Sequence, residues 1–352
     1  MSEFQYKNEK NREAVRKVEE LLDDLPGFCR TYERGIEGST SAYTRYVYMK
    51  RIHVFFAYLR ENNSYFRNKA MRDITYDDIS TFEAEDIEEF THWLRGGNAP
   101  DSHQYEVKES SINNYLSALN SLWDYALTHG KLKHNVIKDV KRARKARHEV
   151  VRLRQHEEDG FFETIYSGNS LTKQQKSHRD DISTARDAAL CLLLIRTGLR
   201  VSEAVGINLQ DLNMNEKFVH VMRKEAKADT VYFSDEVFEA LKDYLALRPL
   251  LGPKPSEQAL FLVTIGKYKG QRLSVRSVEK LVKKYAVAGA PTAGAAITPH
   301  KLRATYATNM ILKTGDLALV QTEMNHESPS TTSIYIDKRA IDMKKHRNDL
   351  DS

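Results

Sequence analysis

Residues Pro299 to Tyr335 read PHKLRATYATNMILKTGDLALVQTEMNHESPSTTSIY. Within them His300 and Arg303 stand three positions apart, about one helical turn, so both project from one helix face and grip one small anion. His326 follows, and Tyr335 comes nine residues after it on a separate element. The arrangement is that of a phosphate clamp with a nucleophile beside it. The rest of the chain has to supply the missing groups.

A chain of 352 residues is long enough for two cores, since domains usually hold roughly 100–200 residues. Hydrophobic residues at 41% and charged residues at 29% are those of an ordinary globular protein. The longest apolar run, Ala188 to Ile195, is far short of the ~20 residues that span a bilayer. The amino terminus MSEFQYKNEK is too polar for a signal peptide, so no membrane is expected and the chain is expected in the cytoplasm. Cys29 and Cys191 are too few and too far apart for a disulfide framework or a cysteine zinc site. Both read as ordinary thiols, packed or partly exposed. The twelve histidines include no HExxH pair, and no GxxxxGK[ST] loop occurs. Metalloprotease and P-loop chemistry therefore lose their sequence support, and the catalysis expected uses neither metal nor cofactor nor ATP.

The net charge of +5 is modest, but its placement is uneven. From Lys138 to Arg154 eight Lys or Arg residues face only Asp139 and Glu149. Such clustering points to a polyanion partner; the bland alternative is the solvated face of a surface helix.

Helical spacing marks residues 9 to 24 through Val15, Val18 and Leu22, with Pro26-Gly27 ending the pattern. A second helix is predicted from Tyr43 to Leu59, a third from Ala84 to Leu94 stopped by Gly96-Gly97, and a fourth from Ile112 to Leu127 followed by Gly130. Residues 1–135 thus read as an all-helical domain. Its aromatics, Tyr46, Phe55, Tyr58, Phe90, Tyr115 and Trp123, sit at core spacing and are not site candidates. Residues 136–156 read as a basic interdomain linker, and residues 157–352 as a second domain. There, after a polar stretch from Gly168 to Asp181, Ala188 to Ile195 is apolar all round and reads as a buried helix broken at Thr197-Gly198. Arg200 follows at the turn, with Ser202 and Glu203 able to cap or start the next helix; a capping or salt-bridging arginine is the alternative reading. Phe218 to Met222 and Thr230 to Ser234 suggest a β-hairpin, with Lys224 and Lys227 in or beside its turn, where lysines are most often solubilising. Helical patterns return at Asp235 to Leu247 and Val275 to Val287, on either side of the strand-like Leu260 to Val263. This domain is mixed and mostly helical.

The order Arg200, hairpin lysine, His300-x-x-Arg303, His326, Tyr335 resembles the catalytic domain of the tyrosine recombinases, the phage integrase family. TGLRVSEA is similar to the family's first arginine box and TPHKLRATYAT to its HxxR box. MNH stands for the usual LGH, and TTSIYI for the tyrosine segment. The resemblance covers roughly Asp187 to Tyr335, and the helical domain and basic linker before it match the family's core-binding domain and interdomain crossing. The implied fold is mainly α with a small antiparallel β-sheet in the C-terminal domain, two domains forming a C-shaped clamp around double-stranded DNA. The hairpin turn departs from the frequent GKGxK in having no glycine, and Asn325 replaces a glycine that usually precedes the second histidine.

The resemblance implies that Tyr335 is the nucleophile, that Arg200 and Arg303 hold the scissile phosphate, and that Lys224 protonates the leaving 5′ oxygen, with Lys227 the alternative. His300 is implied as acid/base partner and His326 as a hydrogen-bond donor to phosphate. Physical chemistry agrees with such a set. A tyrosine of pKa ~10 needs cationic surroundings and a proton acceptor. Guanidiniums stabilise the charge of the transition state, and a poor alkoxide leaving group needs a general acid. The implied activity is site-specific recombination, by integration or excision, resolution or inversion, through a 3′-phosphotyrosine. The expected assembly is a homotetramer on two DNA sites. About 40 residues precede the helix beginning at Tyr43, so a simple two-domain recombinase without a separate arm-binding domain is expected. Lys141, Arg142, Arg144, Lys145 and Arg147 are the candidate phosphate contacts of the linker. A type IB topoisomerase-like relaxing enzyme and a catalytically decayed DNA-binding protein are the alternatives.

Overall fold

The computed structural model describes residues 3–98, 108–142, 151–223 and 228–324. The chain divides into two compact units, Lys7–Arg147 and His148–Ser352, with Met1–Tyr6 grouped with the latter.

The first unit is helical among its described residues: α1 (Glu3–Leu22), α2 (Gly27–Gly35), α3 (Ala42–Asn62), α4 (Tyr76–Ser80), α5 (Ala84–Arg95) and α6 (Glu109–Thr128). The hydroxyl of Ser41 caps α3 by accepting the Thr44 N–H at 3.1 Å, satisfying one of the donors that a helix start leaves open. Met49, Ile52, Val54, Phe55, Phe56, Tyr58 and Leu59 of α3 are all buried, so α3 is enclosed on several sides rather than along one stripe. Phe55 lies at the centre, edge-on to Phe56, Phe82, Phe90 and Trp123. Burial on this scale, about 1.5–3 kcal/mol for each large apolar side chain, is what holds the unit together. The aromatics expected in the core pack in it or against it.

Two expectations are corrected here. Pro26-Gly27 closes α1 but also opens α2: Pro26 is extended at ψ 138° and Gly27 is already helical, because proline lacks only an N–H that a first turn does not use. Val15 is exposed while Val18 and Leu22 are buried, so the apolar face of α1 is narrower than its spacing suggests.

The second unit runs α7 (Gln155–Ser167), α8 (Lys173–Ser177), α9 (Asp181–Thr197), α10 (Val201–Gly206), β1 (Leu212–Asn213), β2 (Phe218–Met222), β3 (Ala228–Tyr232), α11 (Asp235–Leu247), α12 (Val275–Gly289), α13 (Pro299–Thr314) and α14 (Leu317–Glu323). The fold is mainly α with one small antiparallel sheet of order β1-β2-β3. Val219 pairs with Val231 and Met222 with Ala228, and Val219, Val221 and Val231 face the core. Helix α9 is the central element, buried throughout Ala188–Ile195 and packed by α7, α11 and α13. Its Asp187 carboxylate is buried, accepting from Arg186 Nε at 2.8 Å and from the Tyr285 hydroxyl of α12 at 2.7 Å. Both cysteines are buried, which pushes their thiols up and leaves them unreactive.

The segment read as polar from Gly168 to Asp181 contains α8, and α7 lies just before it. The strand-like Leu260–Val263 is not a strand: only isolated bridges form, Ala259 with Asn208 and Leu262 with Arg272. Backbone bonds run singly to Ile207, Gln271, Gly270 and Leu273, and side chains take part of the rest. The buried Arg248 donates to the carbonyls of Ala259 and Leu260, and the Tyr244 hydroxyl accepts the Leu262 N–H at 3.1 Å.

Candidate active site

Helix α9 ends at Gly198, whose φ of 65° is the left-handed conformation that closes many helices. A Cβ there would stand 2.4 Å from Tyr306 Cδ1 and 3.1 Å from Met324 Sδ, so glycine is required by space as well as by φ. Two residues later Arg200 is the N-cap of α10, extended at ψ 146°. The Glu203 carboxylate reaches back to it, Oε2 accepting the Arg200 N–H at 2.7 Å and Oε1 accepting Arg200 Nη1 at 2.9 Å. Glu203 is buried, whereas the Arg200 side chain is 39% exposed. Helix α10 is also fixed at its far end, where Arg272 Nη1 donates to the carbonyls of Val205 and Gly206 at 2.7 and 2.8 Å. An arginine at a helix C-terminus complements the dipole there.

Helix α13 begins with Pro299 at its first turn, presenting His300 at the surface and Arg303 one turn further in. Arg303 is buried, with Nη1 donating to the Gly198 carbonyl and Nη2 to the Met324 carbonyl. It thereby ties together the turn leading to Arg200, the start of α13 and the residue that follows α14. His300 feels this neighbourhood. Partial burial of its ring, then the charges of Lys301, Arg303 and Arg200, hold its pKa below the usual histidine value. The residue as a whole remains open to solvent, so the ring is crowded on one side and reachable on the other. Tyr306, on the same helix, has its phenol pushed up to about 12, first by burial and then by the Glu323 charge, which unfits it for attack at neutral pH.

Arg200, His300 and Arg303 are therefore brought into one neighbourhood. Lys224, Lys227, His326 and Tyr335 lie outside the described residues, as do Asn325, Arg144, Lys145 and Arg147. Lys141 and Arg142 are exposed, Arg142 Nη1 donating to the Ser117 hydroxyl at 3.1 Å. Among the described residues this hydroxyl is its hydrogen-bond partner, and it carries no charge to offset the guanidinium. Among the described residues no three His, Cys, Asp or Glu side chains form a metal-binding group, and no helix is long and apolar enough to cross a membrane.

Sequence reasoning missed two participants. Glu203 was legible only as a residue able to start α10, and Arg223 as part of the hairpin turn. Arg223 is buried, its Nη1 3.1 Å from Glu203 Oε2 and its Nε 2.8 Å from Asp229 Oδ2. The spacing of Arg200 and Glu203 signals a capping pair, but no local pattern announces the Arg223 contact.

Residues 169–341 match the phage integrase family. The tyrosine recombinase XerS of Streptococcus pneumoniae (strain Hungary19A-6) is 30% identical over 364 residues, covering 96% of this chain and 98% of that protein. XerS of Lactococcus lactis subsp. cremoris (strain SK11) is 29% identical, with 97% and 99% covered. The chain belongs to the tyrosine recombinase family and is an enzyme of that type. Among solved structures, the XerH site-specific recombinase bound to a palindromic difH substrate, a post-cleavage complex, shares the fold at a TM-score of 0.64 and 18% identity over 96% of this chain and 89% of that one. The Tn1549 transposon integrase in complex with transposon right end DNA does so at 0.62 and 18%, over 90% and 98%.

Proposed function

We propose that this protein is a site-specific recombinase that cuts and rejoins double-stranded DNA through a 3′-phosphotyrosine. The observation that carries the reading is the joint placement of Arg200, His300 and Arg303, fixed by the Arg303 bond to the Gly198 carbonyl. The full-length similarity to proteins named tyrosine recombinase favours recombination over simple relaxation or a decayed site.

In the proposed reaction Tyr335 Oη attacks the scissile phosphorus and the bond to the 5′ oxygen breaks. That oxygen takes a proton from Lys224, with Lys227 the alternative donor, and leaves as a hydroxyl. His300, held neutral, accepts the phenolic proton. Arg200, Arg303 and His326 stabilise the charge on the non-bridging oxygens, where preorganised donors act most strongly. Attack by a 5′ hydroxyl of the partner strand reverses the chemistry, so the phosphodiester energy is conserved and no nucleotide cofactor is required.

Residues 1–135 would serve as the core-binding half, joined through a basic linker, residues 136–156, to the catalytic half, residues 157–352. Lys141, Arg142, Arg144, Lys145 and Arg147 would contact phosphates. A homotetramer on two sites, working in the cytoplasm where the DNA is, completes the reading. Trapping on genomic DNA followed by sequencing of the covalent junctions tests it and yields the target site. The Tyr335→Phe variant should bind that site and form no adduct; an adduct in the variant would show that another residue attacks.

A further inference from the structure

Arg223 lies one residue beyond β2, directly before Lys224 in the chain, and no role attaches to it through the family resemblance. Its side chain is 3% exposed and sits between two carboxylates, Glu203 at 3.1 Å and Asp229 at 2.8 Å. A guanidinium so deeply buried is costly unless paired, so these two carboxylates specify its place. Glu203 in turn serves three donors. Its Oε2 takes the Arg200 N–H and Arg223 Nη1, and its Oε1 takes Arg200 Nη1.

The division matters electrostatically. A carboxylate facing a single guanidinium tends toward a two-point pair, which would neutralise Arg200 and turn it away from an incoming phosphate. With Arg223 on Oε2, the Arg200 guanidinium reaches Glu203 through Nη1 at 2.9 Å and remains partly exposed. Asp229 balances Arg223 in turn, so the four charges of Arg200, Glu203, Arg223 and Asp229 sum to zero, and Arg200 is held by a single Nη1 contact rather than by a two-point pair.

We propose that Arg223 is a positioning residue for strand cleavage: by sharing Glu203 it fixes the carboxylate that orients Arg200 and keeps the Arg200 charge available to the scissile phosphate. The inference rests on the reading of Arg200 as a phosphate-binding residue.

The test is single-turnover formation of the covalent adduct on the site marked by the trapped wild-type protein. Two DNA substrates are compared, one with the ordinary scissile phosphodiester and one with a methylphosphonate there, whose methyl group replaces a charged non-bridging oxygen. Arg223→Ala should slow cleavage of the phosphodiester on the order of 10²-fold, the effect of a misplaced catalytic group. Both it and Arg200→Ala should recover on the uncharged substrate, which makes a smaller demand on the Arg200 charge. Equal slowing of Arg223→Ala on both substrates, with Arg200→Ala relieved, would overturn the proposal and leave Arg223 a packing role. Failure of Arg200→Ala to recover would overturn it together with the role of Arg200, and absence of any wild-type adduct would remove the recombinase reading itself. Should Arg223→Ala melt below the assay temperature, Arg223→Lys carries the same comparison. It keeps a cation between the carboxylates but lacks the planar fork that reaches both, so a smaller loss with the same relief is expected.

Discussion

The Arg303 guanidinium donates to the carbonyl of Gly198, a residue 105 positions earlier in the chain. One bond thus sets the end of α9 against the start of α13, and with it the placement of Arg200 relative to His300. Gly198 has little freedom to change. Gly198→Ala combines a left-handed φ with a Cβ 2.4 Å from Tyr306, and a loss of about 2–4 kcal/mol is expected. Gly252 is a matched control, with φ of 63° and no atom within 4 Å of its added Cβ. Urea denaturation of both alanine variants should show the larger loss at Gly198; equal losses would mean that the packing there is unimportant.

The pH dependence of cleavage should follow His300. Burial first, and then Lys301, Arg303 and Arg200, lower its pKa, so the neutral ring that can accept a proton persists to a lower pH than in an ordinary histidine of about 6.5. The acid limb of the single-turnover rate is therefore expected below that value, with activity lost as the pH falls through it. Because Arg200 is among the causes, Arg200→Ala should move the His300 midpoint upward in an NMR titration. A wild-type midpoint at or above the ordinary value contradicts the electrostatic account.

Much of this arrangement is visible in the sequence. The apolar run Ala188–Ile195 gives α9, and the three-residue spacing of His300 and Arg303 places both on one turn of α13. What is not visible is tertiary. Arg223 finds Glu203 across 20 positions. Nothing in Leu260–Val263 discloses that Arg248 and Tyr244 will take part of its backbone groups. Helix α7 hides because only Phe161 and Ile165 among its large apolar residues are buried, too sparse a stripe to distinguish it from the linker.

Helix α7 also meets α12 where two glycines touch: a Cβ on Gly160 would lie 2.3 Å from the Gly289 carbonyl oxygen. Glycine to alanine inside a helix ordinarily stabilises by about 0.4–1 kcal/mol. Here backbone blocks the methyl, and Gly160→Ala should instead destabilise by about 1–3 kcal/mol. Gly27→Ala, at the open start of α2 with nothing within 4 Å, should show the ordinary sign. Thermal melts of the two variants decide this, and a stabilised Gly160→Ala would mean that the helices separate easily.

The exposed cations Lys141 and Arg142 allow a separate test of the linker. Arg142 is bonded to a neutral hydroxyl, and among the described residues neither cation has a carboxylate as hydrogen-bond partner. If each neutralises one DNA phosphate, Lys141→Ala and Arg142→Ala should weaken binding on all sequences alike. The slope of log K against log salt should then fall by ~0.9 for each phosphate no longer neutralised, because fewer counterions are released. Arg142→Ala also frees Ser117, so the lysine variant is the cleaner of the two. Binding isotherms at several salt concentrations measure the slope; a slope unchanged in both variants would return this charge cluster to the role of a solvated surface.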